Sequence, residues 1–484
     1  MSELAYLSAV ELAAMIRNRR VSSLEMLDHL IDRIERLDGA VNAVVVRDFD
    51  RARDAARAAD RLLARGAATG PLHGVPMTVK ESFNLAGLPT TFGAPVFRDN
   101  IAAEDAVVPR RLKESGAVIF GKTNVPLNLA DFQSYNEIYG TTHNPHRQGH
   151  TPGGSSGGGA AALAAGFTAL EYGSDIGGSI RNPAHYSGVC GHKPTYGIVP
   201  VRGHSLVETF TPTDISCVGP LARTIDDLEL ALDLTAGPDR LAAQGWDLDL
   251  PGLEMSGPDG LRVALWLDDA LAPVDDSVKA IVGAAAAALA DNGAHIDDAA
   301  RPEFDAEVGF RTYLTLLHSA MATRQPDNVF AETLARAQAL DPDDHSPMAE
   351  VLRCQTIGHR DWVRANQGRN AMREAWADFF DRFDVLICPV ASVPAFPHDE
   401  SEAMGQRTVR VNGQDVPYFD QLFWAGLTGV SYLPSTVVPG GMTADGLPVG
   451  VQIVGPELGD RQTLAVARIV ESLTGGFRAP AAFV

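Results

Sequence analysis

The chain has 484 residues, 45% of them hydrophobic and 21% charged, which is enough length and apolar content for a large core, divided into two or three domains or held as one large α/β unit. Its 40 Lys and Arg stand against 61 Asp and Glu, a formal net charge of −21, and that field repels nucleic acid and anionic membrane surfaces, so neither is an expected partner. Cys190, Cys217, Cys354 and Cys388 are too few and too scattered for a disulfide scaffold or a paired metal site and read as reduced thiols, mostly in the core.

The stretch Met1 to Tyr6 has no basic segment and no apolar run after it, so a signal peptide is not expected. The longest apolar run, Ala284 to Ala290 after Ile281 and Val282, is far too short to span a bilayer, and a cytoplasmic location is expected. Residues 1–65 read as helical. Ser8 with Glu11 and Ser22 with Glu25 fit capping boxes, and Leu24, Leu27, Leu30, Ile31, Ile34 and Leu37 follow at helical spacing before Gly39. From about Pro71 short apolar stretches at Val75 to Val79, Ala117 to Phe120, Val385 to Ile387 and Val449 to Val454 alternate with helical ones such as Asp105 to Glu114, the pattern of an α/β sheet. Residues 66–223 hold the motifs. Residues 224–384 read as mostly helical and acidic, with a Pro/Gly-rich joint at 251–260 and an alanine helix near Asp276 to Asn292, a region that shapes a pocket or an outer layer; residues 385–484 return to the core.

Two apparent motifs fail on context. Gly116 to Thr123 matches the G-x-x-x-x-G-K-[ST] phosphate loop, but its intervening residues are themselves the strand-like run and Pro126 stands where a helix should start. His143, His146 and His150 could be drawn as a metal cluster, yet Asn144-Pro145 breaks any helix that would align the first two, and no nearby carboxylate or cysteine completes a set, so no metal is expected.

Between Gly153 and Asn182 two serines sit in dense glycine, Gly153-Gly154-Ser155-Ser156-Gly157-Gly158-Gly159 and Gly177-Gly178-Ser179-Ile180-Arg181-Asn182. Glycine lets backbone amides come close to a ligand, so these hydroxyls read as presented to a substrate beside an oxyanion hole. A serine needs a base, and no G-x-S-x-G elbow with Asp and His in order surrounds Ser179. Lys80 ends the apolar run Val75 to Val79, where desolvation would lower its pKa toward that of a usable base; a surface charge is the alternative for any single lysine.

Taken together, Gly74 to Glu81, Gly121 to Asn124, Pro152 to Gly158, Gly173 to Arg181, Lys193 to Gly197 and Gly446 to Gln452 resemble the amidase signature family in order and context across nearly the whole chain. The resemblance implies an α/β fold in a single large domain, a central mixed sheet with helices on both faces. It also absorbs the phosphate-loop match, since that family carries a GKTN sequence there. It implies a Ser-cisSer-Lys triad of Ser179 as nucleophile, Ser155 as bridging serine after a cis peptide bond, and Lys80 as base, with the amides of Ile176, Gly177, Gly178 and Ser179 as oxyanion hole and no cofactor. Ser156 is expected to make a structural hydrogen bond, Lys193 to be structural, and Asp175 and Arg181 to pair and hold the nucleophile loop, the alternative being that Arg181 meets a substrate carboxylate.

The chain departs from the family pattern at Leu127-Asn128, where many members place a glutamate, at His192, where an apolar residue is common, and at Gly429 to Pro434. These bear on the substrate, not the reaction. The expected function is hydrolysis of the C–N bond of a small-molecule aryl or alkyl amide, with carbamates and esters within reach of the same chemistry. The alternative is the glutamine-hydrolysing subunit of a tRNA-dependent amidotransferase. A binding protein without catalysis is disfavoured because all three triad residues are present, and a homodimer stays open.

Overall fold

The computed structural model describes residues 2–67, 69–253, 257–400 and 404–484; Met1 and, within the Pro/Gly-rich joint, residues 254–256 lie outside the described residues. Both capping boxes form. The Ser8 hydroxyl accepts from Glu11 N–H ahead of helix Ala9–Arg17, and Ser22 does the same with Glu25 ahead of Ser23–Leu37, each glutamate reaching back to the cap amide. The second helix buries Met26, Leu27, Leu30, Ile31 and Ile34 on one face, as spacing of three and four demands.

The opening region is not helical throughout. Three successive valines make Val44–Arg47 a strand, β1, because β-branched side chains favour extended backbone. It runs antiparallel to β3 (Val118–Thr123), which pairs on its other side with parallel β2 (Pro76–Lys80), so Lys80 closes an edge strand of a three-stranded sheet. A small ribbon of β4 (Tyr135–Asn136) and β5 (Gly140–Thr141) follows.

The main sheet has eight strands. β6 (Leu170–Asp175), β7 (Cys190–Lys193), β8 (Cys217–Ala222), β9 (Arg262–Leu265), β10 (His295–Asp297) and β11 (Val385–Pro389) are joined, past the separate hairpin β12 (Thr408–Val411) and β13 (Gln414–Pro417), by β14 (Ser435–Met442) and β15 (Pro448–Val454). Their order is β10-β9-β11-β15-β14-β7-β8-β6, with β10, β9 and β11 parallel and the remaining pairs antiparallel. The region 224–384 is therefore more than an outer layer. Its β9 and β10 extend the main sheet, connected through helix Asp276–Asp291 as parallel neighbours require.

Helices Gly157–Ala164 and Arg181–Ser187 pack on one face of this single α/β domain, and Ile225–Thr235, Asp276–Asp291 and Asp460–Thr474 on the other. The period of two along β15 serves both. Gly450 lies against His185 of the first face, whereas Val451 points toward Ile281 of the second through the gap at Gly440. Among the described residues no helix is long and apolar enough to cross a membrane.

Replacing Ser22 by Ala removes one cap of the helix that carries this early core. Stability should fall by about 1 kcal/mol in urea denaturation, with no change in the slope of the transition.

Candidate active site

Two strand ends and one helix entrance converge here. Lys80 ends β2, Asp175 ends β6, and the Gly-rich turn at Ser155 enters helix Gly157–Ala164. The Lys80 side chain is fully buried, and its Nζ donates to Ser155 Oγ at 2.7 Å and to Ser174 Oγ at 2.9 Å. Burial lowers its pKa to about 7, with Arg324 acting in the same direction and Asp175, Glu171 and Glu81 opposing.

The Gly154–Ser155 peptide is cis. Gly154 is required by packing, since a Cβ there would stand 2.2 Å from Asp131 O. Ser156 N–H donates to Ser179 O at 3.1 Å, so the two serine turns are joined through the backbone. The Ser156 hydroxyl donates to Ser174 O at 3.3 Å and accepts from Ser174 N–H at 3.4 Å, tying the serine loop to β6. Ser179 is 8% exposed, and among the described residues its Oγ has no hydrogen-bond partner; the Lys80–Ser155 contact is made, the Ser155–Ser179 contact is not.

Asp175 and Arg181 organise the turn between β6 and helix Arg181–Ser187. The carboxylate accepts from Arg181 Nε at 3.1 Å and Nη2 at 2.9 Å, and from the amides of Gly178 at 2.8 Å and Ile180 at 3.0 Å. Burial pushes the Asp175 carboxyl up, but the Arg181 charge and these hydrogen bonds outweigh it and hold it well below the usual carboxylate range. Arg181 Nη1 donates to Ala425 O, Thr428 Oγ1 and Gln452 Oε1, which leaves the fully buried guanidinium no face for a substrate.

The four expected oxyanion amides require one correction. Gly178, at φ +104°, gives its N–H to Asp175 and so drops out of the donor set, while among the described residues the N–H groups of Ile176, Gly177 and Ser179 have no protein acceptor. His192 is also not a pocket wall. It is buried on β7 between Thr436 Oγ1 at 2.9 Å and Asp460 Oδ1 at 3.1 Å. Lys193 is likewise inside, bonded to Pro194 O at 2.8 Å, whereas Leu127 is exposed.

Sequence reasoning assigned no role to Ser174 or Glu171, although both lie in or beside the Gly173 to Arg181 block. Glu171 is fully buried, bonded by the hydroxyls of Thr78 and of Thr123, the latter at 2.9 Å; burial pushes its pKa up to about 8 against those bonds and Lys80. The phosphate-loop match is β3 itself, and its Lys122 is buried with Nζ donating to Thr90 Oγ1 at 3.0 Å and to Pro89 O. Of the three histidines, His143 packs against His398 with ring centroids 5.2 Å apart, and among the described residues no group of three His, Cys, Asp or Glu side chains is arranged to hold a metal ion.

Residues 25–464 match the family model described as Amidase. The chain is 34% identical to an acylamidase of Rhodococcus erythropolis over 97% of this chain and 96% of that protein, and 33% identical to a glutamyl-tRNA(Gln) amidotransferase subunit of Acidothermus cellulolyticus over 98% and 95%. It superposes on the crystal structure of a bacterial aryl acylamidase with a TM-score of 0.81 and 26% identity, covering 99% of this chain and 97% of that one.

Replacing Asp175 by Asn strands the Arg181 charge in the interior. Unfolding free energy should drop by about 3–5 kcal/mol, a loss read as an earlier midpoint in urea denaturation.

Proposed function

The chain belongs to the amidase family, and we propose that it is a hydrolase of small-molecule amides, aryl or alkyl, working through an acyl-enzyme on Ser179. The observation that carries this reading is the buried 2.7 Å contact between Lys80 Nζ and Ser155 Oγ beside a Ser179 hydroxyl that has no hydrogen-bond partner among the described residues. With a pKa brought to about 7, much of Lys80 is a neutral amine at physiological pH, with two N–H groups and one lone pair. It keeps its bond to Ser174 and accepts a proton from Ser155, so the contact runs in reverse during catalysis.

The steps follow from that geometry. A turn of the Ser179 side chain brings its Oγ to Ser155; as Oγ attacks the carbonyl carbon its proton passes to Ser155 and the Ser155 proton to Lys80. The carbonyl π pair moves to oxygen, which the amides of Ile176, Gly177 and Ser179 receive, each worth roughly 3 kcal/mol in such a hole. When the intermediate collapses, the C–N bond breaks, and the proton returns from Lys80 through Ser155 to the leaving nitrogen. Water then attacks the Ser179 ester by the same relay, giving the carboxylic acid and the free hydroxyl. Esters and carbamates share the attack and differ only at the leaving group.

The similarity to a glutamyl-tRNA(Gln) amidotransferase subunit supports a second reading, in which the amide is glutamine and a partner takes the ammonia. The net charge of −21 is unsuited to holding tRNA, so a partner would have to supply that surface. Glutaminase activity with a stably co-purifying protein supports this reading; turnover of aryl and alkyl amides by the isolated chain supports the first.

In a screen of amides followed by intact mass, the wild-type chain should gain the acyl mass and Ser179→Ala should not, with kcat reduced about 10⁴-fold or more. An acylated Ser179→Ala variant would remove Ser179 as the nucleophile. For the base, kcat/KM should rise with pH through a single limb near 7, as Lys80 loses its proton, and then level off. Lys80→Ala should abolish that limb along with most of the rate.

A further inference from the structure

Arg324 stands apart from the other cations around the site. It lies in the turn that follows helix Ala306–Ala322, the helix whose Tyr313 hydroxyl donates to Ile176 O at 3.4 Å on the nucleophile turn. Its guanidinium carbon is 5.7 Å from the centroid of the Phe92 ring, Phe92 is 5.7 Å from the His204 ring, and His204 Nε2 is 2.8 Å from Ser82 Oγ, two residues beyond Lys80. Phe92 belongs to a small apolar cluster with Val125 and Leu129, with Leu206 packed against it. A continuous wall thus joins Arg324 to the strand that carries Lys80.

The guanidinium is at once wet and surrounded. The residue is exposed to solvent, yet the protein mass around it lowers its pKa through burial alone, with no acid acting on it. The guanidinium stands over the Phe92 ring and is open to solvent, so it is reachable from outside along that wall. Its charge acts on Lys80 and on His204. Among the described residues its side chain has no hydrogen-bond or ion-pair partner, whereas Arg181, Arg369 and Arg407 each hold an aspartate. In a chain with 61 acidic residues, a partly desolvated cation left unmatched is available to an incoming anion, and its planar fork fits a carboxylate.

We propose that Arg324 receives a carboxylate of the substrate, so that the preferred amides are anionic ones, carrying an acid group away from the scissile bond. This rests on the hydrolase reading above and names the substrate class of the same site.

The test uses two matched pairs of amides, one with the acid on the amine side (4-acetamidobenzoate against 4′-methylacetanilide) and one with it on the acyl side (N-phenylsuccinamate against N-phenylpentanamide). In at least one pair the wild-type ratio of kcat/KM, acid to neutral, should fall tenfold or more in Arg324→Gln and be partly restored in Arg324→Lys. Lys80 is faced by Asp175, Glu171, Glu81, Ser155, Ser174 and Arg324, so losing the Arg324 charge should also move the kcat/KM limb to higher pH, a change that altered packing alone would not give. Binding of the same four amides to Ser179→Ala, by calorimetry, decides the matter without turnover. Tighter binding of an acid than of its neutral mate, lost in Ser179→Ala/Arg324→Gln, supports the proposal. Equal binding within both pairs, or a preference that survives Arg324→Gln, overturns it. The hydrolase reading fails by a different sign, unchanged turnover in Ser179→Ala.

Discussion

An ammonium group sealed from water sets the terms for the rest of this site. Lys80 has no carboxylate within ion-pair distance among the described residues, only two serine hydroxyls, and its burial is the largest influence on its pKa. The nearby acids are each engaged elsewhere. Asp175 is matched to Arg181, and Glu171, whose pKa burial pushes up to about 8, is bonded by the hydroxyls of Thr78 and Thr123. A dedicated counter-ion would have restored an ordinary lysine. Desolvation without pairing instead brings its pKa down to about 7.

The framework around Lys80 explains why distant segments of the chain matter to it. Arg181 is held by Asp175 on one side and by Gln452, Thr428 and Ala425 on the other, so the closing motif on β15 reaches the turn that carries Ser179 through one guanidinium. Gln452 is fixed in turn by its amide nitrogen, which donates to Pro389 O at 2.9 Å and Trp424 O at 3.2 Å. The alternation of β15 places Gln452 on the face of helix Arg181–Ser187 and Val449, Val451 and Ile453 on the other, so one strand serves the Ser179 turn and the core at once.

Local signals were the legible ones. The capping boxes at Ser8 and Ser22 and the strand ending at Lys80 follow from residues within a few positions of each other, and the structure has them close to the expected bounds, whereas β3 runs on to Thr123, past the apolar run that stops at Phe120. The serine turns were also visible, because glycine density is itself a backbone statement. What escaped was set by contacts across the chain. β1 hid within a helical stretch because four residues give too short a period to read. The Gly178 amide looked available until Asp175 took it. Glu171 looked like an ordinary strand residue, and His192 like a pocket substitution, until Asp460, 268 residues away in sequence, appeared beside it. Arg324 belongs to no motif, and only the folding of helix Ala306–Ala322 onto the turn before Ser179 brings it near Lys80.

The backbone bond from Ser156 to the Ser179 carbonyl has a consequence for how such an enzyme changes its diet. It joins the main chains of the two serine turns, and Asp175 and Arg181 brace the second of them, so the backbone of one turn cannot shift without disturbing the other. New substrates must then be met by the walls. Those walls come from elements remote in the sequence, the turn at Phe92, the segment at Leu206 and the helix end at Arg324, all outside the two serine turns. The fold thus separates the braced serine turns from the surfaces around them, and of those surfaces only the Arg324 end also reaches Lys80, through its charge.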